Sequence, residues 1–395
     1  MLVAKAYQKP NPPRTRQEAE TLLKAGYPVH VLAWDRDGEF PPLENVRGVK
    51  VRSLSPVKLT KTSRVGLALG GIIFQILLLL ESVKLISQLK QRPIVHAHDF
   101  NTLLPACFLR MFRLCSALVY DCRELTYGLY YEWFNLLVAS VFRAIEERCL
   151  RCADAIITVS DSIAAYLRRF NSETEIVYNC PRIEDIPKLS KKEARIQLGL
   201  PLDAFIVSSV GTIRYDCRFD LMLAVSFLTK EENVQYLIVG DGPLTSEIRQ
   251  AAREASSARL TLLPRVSRET ALTYVLASDL TWAVYQNRVE SLNPRMTIPW
   301  KFFESLACGV PVIVEAGTFR AKLVTDLGCG VVLESDHPDY VSQVIVSLTH
   351  NPNQYDKMCA VAKSAARARN FDWETMSIKL IHVYRRLLLA RVASS

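Results

Sequence analysis

Glycine and proline are scarce, at 15 and 19 of 395 residues, which excludes a collagen-like or low-complexity chain. Ten cysteines lie scattered from Cys107 to Cys359. They lack the dense, even spacing of a secreted disulfide scaffold and read as reduced, mostly buried thiols. The N-terminus has no apolar stretch followed by a small-residue cleavage site, so no secretory signal is read and the cytoplasm is the expected compartment. Neither an RNP-like run nor zinc-finger spacing occurs, which makes nucleic acid the weakest class of partner. Cys149 and Cys152 form one isolated CxxC with no second pair, so no metal site is expected. No repeat of roughly 20 to 50 residues marks a solenoid.

What is present is an ordinary folding composition, 49% hydrophobic and 23% charged. The length points to two domains or one large α/β unit. Of the formal net charge of +9, +7 falls in residues 1–183, where 24 basic residues face 17 acidic ones. A basic half of this kind draws nucleic acid, anionic lipid or phosphorylated substrates. The segment from Val65 to Leu80 is strongly apolar but holds Gln75 and is closed by Glu81 and Lys84. As a helix it would reach about 24 Å, short of the roughly 30 Å hydrocarbon core. A buried or interface-touching helix is therefore expected rather than a transmembrane one. Lys50, Arg52, Lys58, Lys61 and Arg64 precede it; they form either a solvated loop or a patch for anionic head groups.

Short apolar runs alternate with amphipathic segments along the chain. Strands are expected at Leu2 to Ala6, Val29 to Ala33, Val49 to Leu54, Ile94 to Ala97, Ala117 to Tyr120, Ala155 to Val159 and Glu175 to Tyr178. A second set runs Phe205 to Val210, Gln235 to Val239, Leu260 to Leu263, Leu280 to Ala283, Val312 to Val314 and Gly330 to Leu333. Most are followed by helical stretches rather than hairpin turns, the pattern of parallel sheets with crossover helices. The polar stretch Arg182 to Lys192, with Pro187, separates the two sets. The fold class is therefore α/β, with two Rossmann-like domains at 1–183 and 184–370. Residues 371–395 form an amphipathic helix with a basic end, expected to return to the first domain.

Three segments carry candidate chemistry. In PWKFFESLACGVPVIV, Pro299 suits a helix start and Gly309 its end. Lys301 and Glu304 share one face of that helix near its N-terminus, as either a surface ion pair or groups for phosphate oxygens and hydroxyls. In FIVSSVGTIRYDCRFD, a strand runs into Gly211, and Arg214 and Arg218 beyond it can clamp a diphosphate. In YLIVGDGP, a strand ends in a Gly-x-Gly turn at Gly240. In one parallel sheet these strand ends converge on the carboxyl edge, where α/β proteins bind ligands. In VHAHDF, His96 and His98 lie on one face of a strand, as structural histidines or with one reaching a ligand. Asp99 at its end can orient an acceptor hydroxyl.

Taken in order, PRTRQEAETLLKAGYPVHVLAWDR, VHAHDF, ADAIITVSDSI, VYNCP, SVGTIRYDCRFD, LIVGDGP and PWKFFESLACGVPVI resemble the retaining GT-B glycosyltransferases called family 4. The resemblance covers nearly the whole chain. It implies a nucleoside-diphosphate sugar held mainly by the second domain, an acceptor held mainly by the first, and no cofactor. Glu304 matches the final glutamate of the donor motif, which hydrogen-bonds ribose hydroxyls. Arg218 and Arg214 match the cationic loop that neutralises the departing diphosphate, and Lys301 matches a lysine near the diphosphate or sugar. Gly211 and Gly240 belong to the donor-site strand ends, and Gly317 and Thr318 supply a further backbone turn. His98, Asp99 and Glu124 are the candidates on the acceptor side.

Two positions depart from the family pattern. Where many members carry a first glutamate that contacts the transferred sugar, this chain has Met296, with Glu290 and Asn293 nearby. In VYDCREL, Arg123 stands where relatives often place a histidine, and an arginine is no general base at neutral pH. The expected activity is transfer of a sugar to an acceptor hydroxyl, with retention by resemblance. The basic first half and the apolar segment suggest a lipid-linked or cell-surface glycan acceptor and peripheral contact with an anionic inner membrane face. The alternatives are a catalytically silent GT-B protein that binds nucleotide-sugar or a partner enzyme, and a same-fold epimerase.

Overall fold

The computed structural model describes residues 2–5, 13–35, 38–55, 64–126, 136–254, 259–286, 292–368 and 371–394. Lys58, Lys61 and Glu290 lie outside them. The chain divides into two units. The first comprises Met1–Tyr178 with Glu290–Asn293 and Met376–Ser395, and the second Asn179–Val289 with Pro294–Thr375.

The first unit is built on an eight-stranded sheet ordered β3-β4-β2-β1-β5-β6-β7-β8. Its strands are β1 (Leu2–Lys5), β2 (His30–Trp34), β3 (Leu43–Val46), β4 (Val49–Leu54), β5 (Ile94–His98), β6 (Ala117–Cys122), β7 (Ala155–Thr158) and β8 (Thr174–Ile176). β5, β6 and β7 are buried at every position, as central parallel strands covered on both faces are. Their near-continuous apolar runs follow from that cover. The crossovers are helices α1 (Pro13–Lys24), α2 (Arg64–Ser87), α3 (Phe100–Met111), α4 (Leu136–Leu150) and α5 (Asp161–Leu167). α5 starts where the Ser160 hydroxyl accepts the Ile163 amide, a standard N-cap.

β3 is an element absent from the expected strands. It pairs antiparallel to β4 across Arg47 and Gly48, both at positive φ (52° and 88°). This is the two-residue hairpin turn with left-handed backbone at both central positions. Arginine in the first of them hides the usual Asn-Gly or Asp-Gly signal.

The second unit carries a six-stranded parallel sheet ordered β11-β10-β9-β12-β13-β14. The strands are β9 (Phe205–Val210), β10 (Val234–Val239), β11 (Leu260–Leu263), β12 (Leu280–Trp282), β13 (Val312–Glu315) and β14 (Gly330–Leu333). Its helices are α6 (Lys191–Leu198), α7 (Phe219–Leu228), α8 (Thr245–Glu254), α9 (Arg268–Ala277), α11 (Trp300–Ala307), α12 (Phe319–Leu327), α13 (Pro338–His350) and α14 (Pro352–Ala368), while α10 (Leu292–Met296) has Leu292 and Asn293 in the first unit and Pro294 onward in the second. Trp282, Tyr236, Phe219 and Met222 fill one side of the sheet. The polar stretch after β8 ends at Ser190, whose capping box with Glu193 starts α6, and Gly199 in the left-handed region stops it. Such boxes satisfy two orphan amides at once. The last helix, α15 (Trp373–Ser394), has Met376 onward in the first unit. There its Tyr384 is buried and its Lys379 ammonium donates to the Ile176 carbonyl at 3.2 Å.

Candidate active site

In the second unit the candidate residues gather at the carboxyl ends of β9, β10, β12 and β13. β9 runs out at Gly211, whose φ of 137° is left to glycine, and a Cβ there would meet nothing within 4 Å. Among the described residues, space is open above that strand end. Gly240 (φ 151°) has a different part: a Cβ on it would sit 1.9 Å from the Gly211 carbonyl oxygen, and one on Gly242 would sit 2.3 Å from that of Ile213. The two loops lie backbone on backbone, and the Ile213 amide donates to the Asp241 carbonyl at 3.1 Å. Gly240 permits that approach rather than opening space for a ligand.

Pro299 is the N-cap of α11, one place earlier than a first helical position, and Gly309 (φ 72°) follows its last turn. The Val310 amide donating to the Ser305 carbonyl at 2.9 Å completes the C-terminal lock. Phe302, Phe303 and Leu306 are fully buried, each contributing about 1.5–3 kcal/mol relative to exposure. That anchorage fixes where Lys301 and Glu304 stand. They do not pair with each other. The Lys301 ammonium donates to the Ser209 hydroxyl on β9 at 2.9 Å and lies 5.7 Å from the Tyr285 ring centroid. The Glu304 carboxylate accepts from Arg268 at the start of α9. Both side chains are more than nine-tenths buried, so neither belongs to a surface ion pair.

Beside them, Glu315 at the end of β13 accepts from the Arg320 guanidinium and, at 3.0 Å, from the Tyr285 amide. Burial pushes the Glu315 carboxyl up, with Arg320 opposing. Arg320 also donates to the Thr297 carbonyl at 2.8 Å and stacks 4.8 Å from the Tyr285 ring. Thr318 caps α12 by accepting the Ala321 amide at 3.1 Å, and Gly317 turns the chain before it at φ 74°. The two loop arginines are both engaged by carboxylates. Arg214 forks onto Asp216 at 2.9 and 2.6 Å, while Arg218 bridges Asp220 at 3.0 Å and Asp336 at 2.7 Å.

In the first unit, Asp99 follows β5 with φ 61° and ψ 167°, a region otherwise left to glycine. Its carboxylate pairs with Arg123 just past β6, the Nε contact being 2.9 Å. Arg123, at the position where the resemblance implies a histidine, thus holds Asp99. Glu124 follows, half-buried. Asn293 is committed to the backbone of Leu125, accepting its amide at 2.7 Å and donating to its carbonyl at 2.9 Å. Met296 ends α10, half-buried.

His98 does not face an open surface. Its ring is fully buried, with Nδ1 3.0 Å from Asp121 and Nε2 3.3 Å from Glu18. His96 stacks on it at 4.4 Å and meets the Tyr384 hydroxyl at 2.8 Å. Burial, with His98 beside it, pushes the His96 imidazole well below its ordinary value. Arg14 bonds Asp121 at 2.8 and 2.9 Å and Glu18 at 3.0 Å. Burial alone would push the Asp121 carboxyl up; Arg14 and His98 together hold it well below the carboxylate range. Glu18, His96, His98 and Asp121 stand within 4.8 Å of one another, the grouping with ligand-like spacing among the described residues. The guanidinium already places a cation between the two carboxylates. The cluster joins the ends of β5 and β6 to α1, so His98 is enclosed by side chains rather than presented at the strand end like Asp99.

The family model for a glycosyl transferase 4-like domain matches residues 12–180, and that for glycosyl transferases group 1 matches residues 190–369. The chain belongs to the GT-B glycosyltransferases of family 4, group 1. Among curated relatives, the D-inositol 3-phosphate glycosyltransferase of Mycolicibacterium paratuberculosis is 26% identical over 62% of this chain and 55% of its own length. The alpha-monoglucosyldiacylglycerol synthase of Streptococcus pneumoniae is 23% identical over 47% and 41% respectively. The match spans about half the length of these relatives. In overall fold, this family 4 glycosyltransferase is similar to sucrose-phosphate synthase from Thermosynechococcus elongatus, with TM-score 0.80, 19% identity and coverage of 98% and 99%. Anabaena HepE, solved with UDP and glucose, gives TM-score 0.72 at 15% identity, covering 98% and 100%.

Several residues that contact or surround Lys301 and Glu304 were not legible in the sequence: Ser209, Arg268, Tyr285, Glu315 and Arg320. Glu315 had a signal, a carboxylate ending an apolar strand beside Gly317. The partners Ser209 and Arg268 had none, since the pairings span 92 and 36 residues.

Proposed function

We propose that this glycosyltransferase moves a sugar from a nucleoside-diphosphate donor to an acceptor hydroxyl, with retention. The observation that carries the donor half is the buried pair of differently charged groups, Lys301 and Glu304, fixed at the carboxyl edge beside the open space over Gly211. A carboxylate accepts from the vicinal hydroxyls of a ribose. The ammonium, with Arg214 and Arg218 after exchange from their aspartates, meets the charge that develops on the leaving diphosphate. The reading assigns that neutralisation to side chains and calls for no cofactor. Support for the donor class comes from HepE, a fold neighbour solved with UDP-glucose. Retention is carried over from the family resemblance. A lipid-linked acceptor is part of the proposal, supported by the name of the pneumococcal relative, an alpha-monoglucosyldiacylglycerol synthase. The cytoplasm is the proposed compartment, consistent with ten free thiols.

A thermal-shift panel of nucleoside diphosphates and nucleotide-sugars tests the donor half, because a ligand that binds only the folded state raises the melting temperature. A shift with one base that is lost in Glu304→Ala supports the reading; no shift with any of them overturns it. The second reading, a silent nucleotide-sugar binder, has one observation in its favour: Arg123 is locked onto Asp99 on the acceptor side. Donor binding without turnover on any acceptor would select it.

A further inference from the structure

We infer that the outer face of α2, α3 and α4 in the first unit docks on an anionic phospholipid bilayer, with α2 lying along the membrane interface rather than across it. α2 is 24 residues long, and its stretch Leu69–Ser87 has a mean hydropathy of 2.0. By length and composition alone it could span a membrane, but the two sides of the helix differ. Phe74, Leu78 and Leu85 are buried in the unit, and the Phe74 ring stacks on Trp34 at 4.8 Å. A spanning helix would have to give up that packing. Leu69, Ile72, Ile76, Leu80 and Val83 occupy the opposite side at spacings of three and four residues. They are 40–61% exposed.

This apolar ridge continues onto the neighbouring helices. α3 packs against both α2 and α4. Its end presents Phe108, Met111 and Phe112, while the start of α4 presents Leu136, Leu137 and Val141, all 45–75% exposed. An apolar surface of this extent marks an interaction face, and a convex helical ridge is the form that inserts to headgroup depth.

Charge selects the occupant. Lys84, Lys90, Arg92 and Arg113 are exposed at the end of the ridge where α2 and α3 finish, and Arg113 directly follows Phe112. The nearby carboxylates are engaged: Glu81 by Arg52, Asp154 by Arg110, and Glu147 by Arg143 and Tyr166. Among the described residues, a second copy of the chain would bring no free carboxylates from this face to meet those cations, whereas anionic headgroups supply the complement. α2 follows β4 and precedes β5, so the ridge begins at the carboxyl edge of the sheet, the edge that carries Asp99. A membrane along it brings a lipid-borne hydroxyl to that edge; this last consequence rests on the acceptor reading above, while the docking itself does not.

The test is co-sedimentation of the full chain with vesicles of phosphatidylglycerol and phosphatidylcholine, or phosphatidylcholine alone, at low and high salt. The wild type should bind the anionic vesicles and release as salt rises. Ile76→Glu with Leu80→Glu should weaken binding ~10-fold or more, and Lys90→Glu with Arg113→Glu should abolish the preference for anionic lipid. In both variants melting temperature and nucleoside-diphosphate binding should be unchanged, which separates a failure of docking from a failure of the donor reading. The inference is overturned by no wild-type binding at low salt, by binding indifferent to both double variants, or by a dimer that Ile76→Glu with Leu80→Glu dissociates. Retention in the membrane through an alkaline carbonate wash would overturn the interfacial placement of α2.

Discussion

Replacing Glu304 by alanine removes both carboxylate oxygens from the edge of the second unit. One oxygen accepts from Arg268, so in the bound state it serves ribose and guanidinium together, and the other is left to the second hydroxyl. Hydrogen bonds to a charged group contribute about 1.5–3 kcal/mol each. Counting one full bond and one shared bond gives about 3 kcal/mol, or roughly 150-fold in Kd. Releasing Arg268 adds little cost, because its side chain is 38% exposed and solvated. Isothermal titration with the nucleoside diphosphate that binds the wild type reads the loss, and the 2′-deoxy analogue isolates its origin. The wild type should bind the analogue about tenfold more weakly, while the variant should bind both alike. A variant that still discriminates between ribose and deoxyribose, or that binds within threefold of wild type, would refute the assignment of Glu304 to the ribose.

Asp99→Gly should relieve the glycine-only backbone at φ 61°, ψ 167° but release the part-buried Arg123, so the urea midpoint should move by no more than the equivalent of about 1 kcal/mol while sugar transfer falls. A gain in stability with transfer intact would remove Asp99 from the site. Gly240→Ala should cost at least about 2 kcal/mol in urea unfolding, because the added methyl would meet the Gly211 carbonyl at 1.9 Å; a neutral outcome would show that the two loops separate easily. Glu146 is buried against Tyr120 and Thr126, and burial raises its carboxyl from 4.5 to about 7. Since the folded state holds the proton longer than the unfolded state, stability should fall as pH rises from about 4.5 to 7, by up to about 3 kcal/mol. Glu146→Gln should flatten this part of the pH profile and be the more stable protein at pH 8; an unchanged profile would refute the shift.

The strands were legible because their buried positions are largely apolar, in near-continuous runs in central strands such as β10 and alternately in β4. Val49–Leu54, Phe205–Val210, Leu260–Leu263 and Gly330–Leu333 fall on the expected residues, and other ends move by one or two. The hairpin partner Leu43–Val46 was not, since its residues, LENV, do not alternate apolar with polar even though its burial does. Local spacing put Lys301 and Glu304 on one helix face, but not what each touches. Burial of His98 was likewise hidden, because the groups that enclose it, Arg14 and Glu18, come from a helix some eighty residues earlier. A strand pattern states which face a residue points to. Which distant side chain waits there is a property of the assembled sheet.

The cations at the donor edge sort by what an incoming anion can take from their partners. Arg214 and Arg218 bind aspartates that are partly or largely in water, Asp336 being 73% exposed. Exposed pairs of this kind contribute at most about 1 kcal/mol, so a diphosphate can exchange for the aspartates at little cost. Arg320 is different, because it and Glu315 are both buried and Arg320 is also held by Thr297. Removing one partner there would strand a charge at a cost of about 3–5 kcal/mol, so this pair stays closed and keeps Arg320 over the Tyr285 ring, which Lys301 also approaches. Lys301 donates to a neutral hydroxyl at Ser209 and lies over the Tyr285 ring, with no carboxylate partner among the described residues. Of these cations it gives up least when it turns to a phosphate oxygen. The edge therefore combines one ready cation, two exchangeable ones and a fixed pair beside the Tyr285 ring, which is the distribution a site needs if it is to bind a diphosphate and then release it.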